Sequence, residues 1–197
     1  MKVISALTDR LIKRGQIPEE DRDIYIYGFD IILYTIWSTA VLLIIGFISG
    51  QFWAGLIIVA GFYTLQSSGG GYHANSHIKC LLTMIAGLLV GLSFYFIKEI
   101  NILLWVLLDS GVITLLLIPL VLHPNKLYLE TKRRRLTIRS IVVTLSILIC
   151  TLIINVFWNK MLYAFAALFL LAGISRIAGR IKYSQKGKTF AIREKSS

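Results

Sequence analysis

Two of the three histidines and one of the two cysteines in this chain fall within residues 67–80, a short polar passage between strongly apolar segments. Three consecutive glycines, Gly69, Gly70 and Gly71, open that passage, and glycine allows backbone turns closed to other residues. His73, His77 and Cys80 follow as the chain re-enters apolar sequence. A thiol within hydrogen-bond reach of an imidazole is a nucleophile–base pair able to attack a peptide carbonyl. The spacing favours His77 as partner, because residues i and i+3 adjoin on one helical face if a helix reaches back that far. His73 lies seven positions from Cys80, about 10 Å along a continuous helix, and serves only if the chain bends. The glycines permit such a bend. Cys80 is expected in the first turn of a helix, where terminal amides, Lys79 and a nearby imidazole favour the thiolate. Three other readings stand beside this one. Cys80 could be an ordinary small residue at a span end, and the histidines could anchor the loop at headgroup level. As a metal set, His73, His77 and Cys80 lack an adjacent glutamate and a fourth ligand.

The elements that must position these residues are read from composition. Of 197 residues 56% are hydrophobic and 16% charged, with a net charge of +11. That balance lies outside the range of soluble domains. Repeated apolar runs of near bilayer-spanning length predict an all-α integral membrane protein with about six transmembrane helices. The spans are expected at 31–50, 52–65, 81–97, 102–122, 141–158 and 161–175. The second and sixth are short, and would tilt, extend into flanking polar residues or thin the bilayer. Residues 2–14 put Val3, Ile4, Leu7 and Leu11 at helical spacing, with Lys2, Arg10, Lys13 and Arg14 on other faces. This predicts an N-terminal amphipathic helix, lying at the membrane interface or packed on the protein's own loops. Gly15 and Pro18 end it, and a second helical stretch leads from Glu19 to Asp30. Residues 1–30 carry both charge signs and no leading apolar core, unlike a cleaved signal peptide. The expected organisation is therefore an interfacial region 1–30, a membrane domain 31–175 containing the loop 66–80 and a basic loop 123–139, and a basic tail 176–197.

Nineteen of the 21 Lys and Arg residues fall in alternate connections, which also hold the two termini and the glycine–histidine–cysteine loop. Basic residues favour the cytoplasmic side, so both termini and the loop are expected to face the cytosol. The same excess reads as contact with anionic lipid rather than nucleic acid. Two cysteines give no disulfide framework, and no motif requires a cofactor or metal. Gly46/Gly50 and Gly87/Gly91 are small-residue pairs that let helix backbones approach. Asp109 interrupts the fourth span; it is either a functional carboxylate, a hydrogen-bonded packing residue, or a residue near the outer interface. Cys150, deep in the fifth span, reads as a buried structural thiol. A transporter or channel using Asp109, or a non-catalytic scaffold, are the competing functional classes.

Gly70, Gly71, Tyr72, His73 and Ala74, with Cys80 seven residues after the histidine, resemble the motif of the accessory gene regulator B (AgrB) family. These are bacterial membrane cysteine endopeptidases that process quorum-sensing propeptides. Chain length, span layout, the amphipathic N-terminus and a proline followed by a basic cluster (Pro124, then Lys126, Lys132, Arg133, Arg134 and Arg135) are similar. The resemblance implies His73 as base and Cys80 as nucleophile. Some members carry an arginine seven residues before the histidine, where this chain has Gln66. Gln66, Gly70 and Gly71, with Lys79, are expected to shape the loop and oxyanion pocket; a neutral amide still donates hydrogen bonds but adds no charge. The implied substrate is a small propeptide with an amphipathic helix and an acidic C-terminal tail. That tail would meet Lys126, Lys132, Arg133, Arg134 and Arg135. Cys80 would hold the peptide as a thioester until the peptide's own cysteine closes a thiolactone. A homodimer in the bacterial cell membrane, with the active site facing the cytoplasm, is also implied.

Overall fold

Hydrocarbon offers backbone amides no water, so a chain this apolar must close its hydrogen bonds within helices. The computed structural model describes residues 2–72, 74, 76–97, 101–118, 120, 121 and 130–194, and among these it has helices and no strand. The α-helices are α1 (Lys2–Lys13), α2 (Arg22–Ile48), α3 (Phe52–Gly69), α4 (His77–Ser93), α5 (Asn101–Leu117), α6 (Glu130–Phe157) and α7 (Leu162–Glu194). Single 3-10 turns occur at Glu19–Asp21, Phe94–Ile97 and Asn159–Met161. Each of the six expected spans overlaps a helix, the fourth only as far as Leu117. Glu19–Ile48, His77–Phe96, Arg133–Phe157 and Asn159–Tyr183 are long and apolar enough to cross a bilayer, while Ile102–Leu117 is apolar but shorter. The protein is an all-α membrane protein.

Several boundaries differ from those expected. Asp30 does not interrupt α2, which runs unbroken from Arg22. The basic passage 123–139 is helical from Glu130 onward, and the supposed tail after Ser175 continues α7 to Glu194. Lys, Arg and Glu are strong helix formers and no proline follows Pro124, so these helices stop at neither the lipid boundary nor the first charge.

Residues 1–41 and 42–197 form two compact units. In the first, α1 is tied to the start of α2: Arg22 Nε donates to Asp9 Oδ1 at 2.9 Å and its Nη2 to Ser5 Oγ at 3.0 Å. Ile4 and Thr8 are buried, one helical turn apart, while Leu7 is exposed.

In the second unit α7 is central. Leu162 to Phe169 are buried without a break, the signature of a helix surrounded by others. Small residues permit that crowding. A methyl on Gly111 of α5 would collide with the backbone of Phe169, and one on Gly173 would lie 3.4 Å from Gly111 Cα. On α4, Gly91 fits against Ile58 and Ala167, and Gly87 makes ordinary contact with Leu171. In the other expected pair only Gly46 lies close to a neighbour, Gly55; Gly50 has nothing nearby and instead supplies a φ of +68° to the turn before α3. Helix α6 is turned inside out relative to a soluble helix. Its buried positions are Ser140, Thr144 and Thr151, while Ile141, Leu145, Ile149 and Val156 point outward. Hydroxyls suit tight helix contacts in lipid because they bond locally, as Thr144 Oγ1 does to Ser140 O at 2.8 Å. Cys150 lies on that outward side and is exposed, so it is not the packed thiol expected. Asp109 is likewise exposed on α5.

Candidate active site

The polar passage begins where α3 ends. Its last turn bonds normally until Gly70, whose φ of +69° reverses the chain while its N–H donates to Gln66 O at 2.8 Å. No other residue fits here. A side chain at Gly70 would be strained by the left-handed backbone and would also strike the Val121 carbonyl. The flanking glycines are required for room alone. A methyl on Gly69 would overlap the Arg176 guanidinium, and one on Gly71 would sit 2.8 Å from Ser175 Oγ and 2.9 Å from Gln66 Nε2. Gly69 O also accepts from the Val121 N–H at 3.2 Å, which ties the loop to the segment following α5.

Helix α7 receives the loop. The Tyr72 N–H donates to both Ser175 O, at 2.9 Å, and Ser175 Oγ, at 3.1 Å. Gln66 Nε2 donates to the same hydroxyl at 2.7 Å. One turn on, Gly179 presses on the Gly71–Tyr72 backbone so closely that a methyl there would come within 2.6 Å of the Gly71 carbonyl carbon. A further turn along, Lys182 places its ammonium 4.9 Å from the centre of the Tyr72 ring, within cation–π range. Arg176 is 2% exposed; its Nη1 donates to Leu115 O and its Nη2 to Ser140 Oγ at 3.0 Å. Its Nε finds no acceptor, and no carboxylate pairs with it among the described residues.

Cys80 stands in the first turn of α4, as expected. Ser76 is the N-cap, its hydroxyl accepting from the Lys79 N–H at 3.4 Å and its carbonyl from the Cys80 N–H at 3.0 Å. The helix starts at His77, so His77 and Cys80 do fall three residues apart on one helix. His77 is exposed and Cys80 half-buried. His73 lies outside the described residues, as does Lys126. On α6, Arg133, Arg134 and Arg135 are exposed in the helix's first turns, with Lys132 just before them. Successive helical residues are about 100° apart, so the three guanidiniums fan over roughly half of the helix circumference. The described candidate residues thus lie at the end of α3 and in the loop after it, at the start of α4 and near the start of α6.

A sequence model of the accessory gene regulator B family matches residues 4–176. The chain belongs to the AgrB family. It is accordingly a membrane protein with a role in processing quorum-sensing propeptides. No curated protein and no solved structure matches it. The AgrB match ends at Arg176, within the charged stretch of α7 that holds the loop.

Ser175, Arg176 and Lys182 are the residues that sequence reasoning missed. Arg176 looked like the first of seven tail cations, and Ser175 like the last residue of a span. The signal available was the run of Ala and Gly in 164–179, which marks a helix packed closely on all sides and thus one whose polar residues have partners inside the protein.

Proposed function

We propose that this AgrB-family protein is a cysteine endopeptidase whose nucleophile is Cys80 and whose base is His73. The observation that carries the reading is the position of Cys80. It is half-buried in the first turn of α4, four residues after Ser76 and eight after Tyr72, both of which are fixed by hydrogen bonds. The positive end of a helix stabilises negative charge on sulfur and on the oxygen of a tetrahedral intermediate. His73 takes the thiol proton, and the Cys80 thiolate attacks the carbonyl carbon at the cleavage site. The C–N bond breaks, the imidazolium returns its proton to the departing amine, and the N-terminal part of the peptide remains as a thioester on Cys80. A cysteine within that peptide, deprotonated by the same imidazole, then attacks the thioester carbonyl. Cys80 leaves as thiolate and the product is a thiolactone. Because a thioester is less stable than an amide, the site must keep water away from the intermediate; a thiol where lipid meets cytoplasm serves that purpose. An acidic peptide tail would be steered by Arg133, Arg134 and Arg135 together with Lys126 and Lys132.

His77 is the competing base, favoured by the start of α4 at that residue. A transporter using Asp109 gains no support, since that carboxylate lies on the outer side of α5. The test is processing of a short propeptide with an internal cysteine and an acidic tail by membranes carrying single variants. Cys80→Ala is expected to abolish release of the tail, and His73→Ala to slow it by about 10²–10⁴-fold, the usual worth of a general base. His77→Ala should change it little. Wild-type processing by Cys80→Ala would refute the endopeptidase reading, and the opposite order of the two histidine variants would move the base to His77.

A further inference from the structure

The loop that carries the reactive residues has one polar attachment that no part of the reaction accounts for. Ser175 accepts three hydrogen bonds from it, two from the Tyr72 N–H and one from Gln66 Nε2. These join positions 109 and 103 residues apart in sequence. Gly179 and Lys182, on the same side of α7, complete the seat, one beneath the Gly71–Tyr72 backbone and one over the Tyr72 ring. Three contacts at 175, 179 and 182 follow the spacing of a single helical face. Behind them Arg176 locks α7 to α5 and α6 through Leu115 O and Ser140 Oγ, so the seat cannot shift without breaking buried hydrogen bonds.

We infer that Ser175 is a positioning residue of the peptidase: by holding the Tyr72 amide and the Gln66 side chain it anchors the residue that immediately precedes the proposed base in the chain. The inference rests on the proposed roles of Cys80 and His73. Tyr72 is held by α7, and Ser76 is the α4 cap. Removing the hydroxyl breaks its bonds to the Tyr72 N–H and to Gln66 Nε2, and leaves the Tyr72 N–H only the main-chain bond to Ser175 O. Misplacement by about 1 Å is enough to cost a catalytic pair roughly 10²-fold. Gln66 acts through the same oxygen, which gives that neutral side chain a task independent of any contact with substrate.

The experiment uses the full chain in lipid nanodiscs with Cys150→Ala, so that iodoacetamide reads Cys80 alone. The rate of alkylation is measured at pH 7 and at pH 10, where thiols in general are ionised. The ratio of the two rates reports how far the imidazole assists the sulfur, and a mere change of access moves both rates together. Ser175→Ala is expected to lower the ratio by about fivefold or more, the worth of one ordinary hydrogen bond. It should approach the ratio of His73→Ala, while Ser175→Thr, which keeps the hydroxyl, stays near wild type. Gln66→Ala should lower the ratio in the same direction, and combining it with Ser175→Ala should add less than the sum of the two. If His73→Ala lowers the ratio and Ser175→Ala does not, the inference is wrong and the peptidase reading stands. If His73→Ala leaves the ratio unchanged, the assignment of the base has failed, whatever Ser175→Ala does.

Discussion

At the scale of single residues, the three glycines before the histidine each have a different reason to be glycine. Gly70 needs a left-handed backbone and has the Val121 carbonyl where a side chain would go; Gly69 leaves room for a guanidinium, and Gly71 for Ser175 and Gln66. Gly70→Ala should therefore lower stability by at least about 1–2 kcal/mol from backbone conformation alone. A thermal melt in detergent should show a clear drop, with processing lost alongside it. The glycine run was legible as a turn, because only glycine composition and its place between apolar runs are needed to see one. The neighbours that make each glycine necessary were not legible, since Arg176 and Ser175 lie more than a hundred positions away. Arg176 itself is the plainest case. A buried cation bonded to a main-chain carbonyl and a serine has no sequence signature distinguishing it from the lysines and arginines that follow. Replacing it by alanine removes two hydrogen bonds and opens a cavity, which together should cost about 2–4 kcal/mol. Arg176→Lys should recover only part of that loss in the same melt, because a single ammonium replaces a planar fork reaching two acceptors.

Among the helices, each apolar run expected as a span overlaps a helix, four of these helices are long and apolar enough to cross a bilayer, and the differences lie at the ends. Hydrophobicity marks where lipid stops, whereas a helix stops where its backbone bonds or its sequence allow. That is why α6 is already helical at Glu130 and α7 still helical at Glu194, both through strongly basic sequence. Which face of a span points inward was the other limit. With apolar residues on both sides, Cys150 could not be assigned to the outside of α6, while the buried stripe Ser140, Thr144 and Thr151 is recognisable only once the packing is seen. The closest packing in the second unit, α5 on α7, depends on Gly111 against the Phe169 backbone. Gly111→Ala forces these helices apart or strains them, and overpacking of this kind costs about 1–3 kcal/mol. Its effect should appear as a lowered unfolding temperature. Arg133, Arg134 and Arg135 are a separate matter, since all three are exposed. Exchanging Arg133, Arg134 and Arg135 for glutamate should leave the melting temperature nearly unchanged while raising the KM for a propeptide with an acidic tail. High salt should weaken the wild-type protein in the same way.

For the whole molecule, family membership and the apolar helices make this a membrane protein of propeptide processing, and its chemistry is proposed to sit on one side of the bilayer. From the distribution of Lys and Arg we propose that both termini and the loop between α3 and α4 face the cytoplasm. Reporter fusions at Ser197 and at Met1 should both register cytoplasmic. The proposed thiolactone chemistry needs three things at once: a thiol at the α4 terminus, a base beside it, and shelter from water for the thioester. The most direct measurement is a rapid acid quench of the purified protein in nanodiscs with its propeptide, followed by mass spectrometry of the peptide that contains Cys80. The account predicts an adduct of the propeptide's N-terminal fragment on Cys80, labile to hydroxylamine, and strongly reduced in His73→Ala. Release of the acidic tail at the wild-type rate with no adduct on Cys80, or by the Cys80→Ala protein, would contradict it.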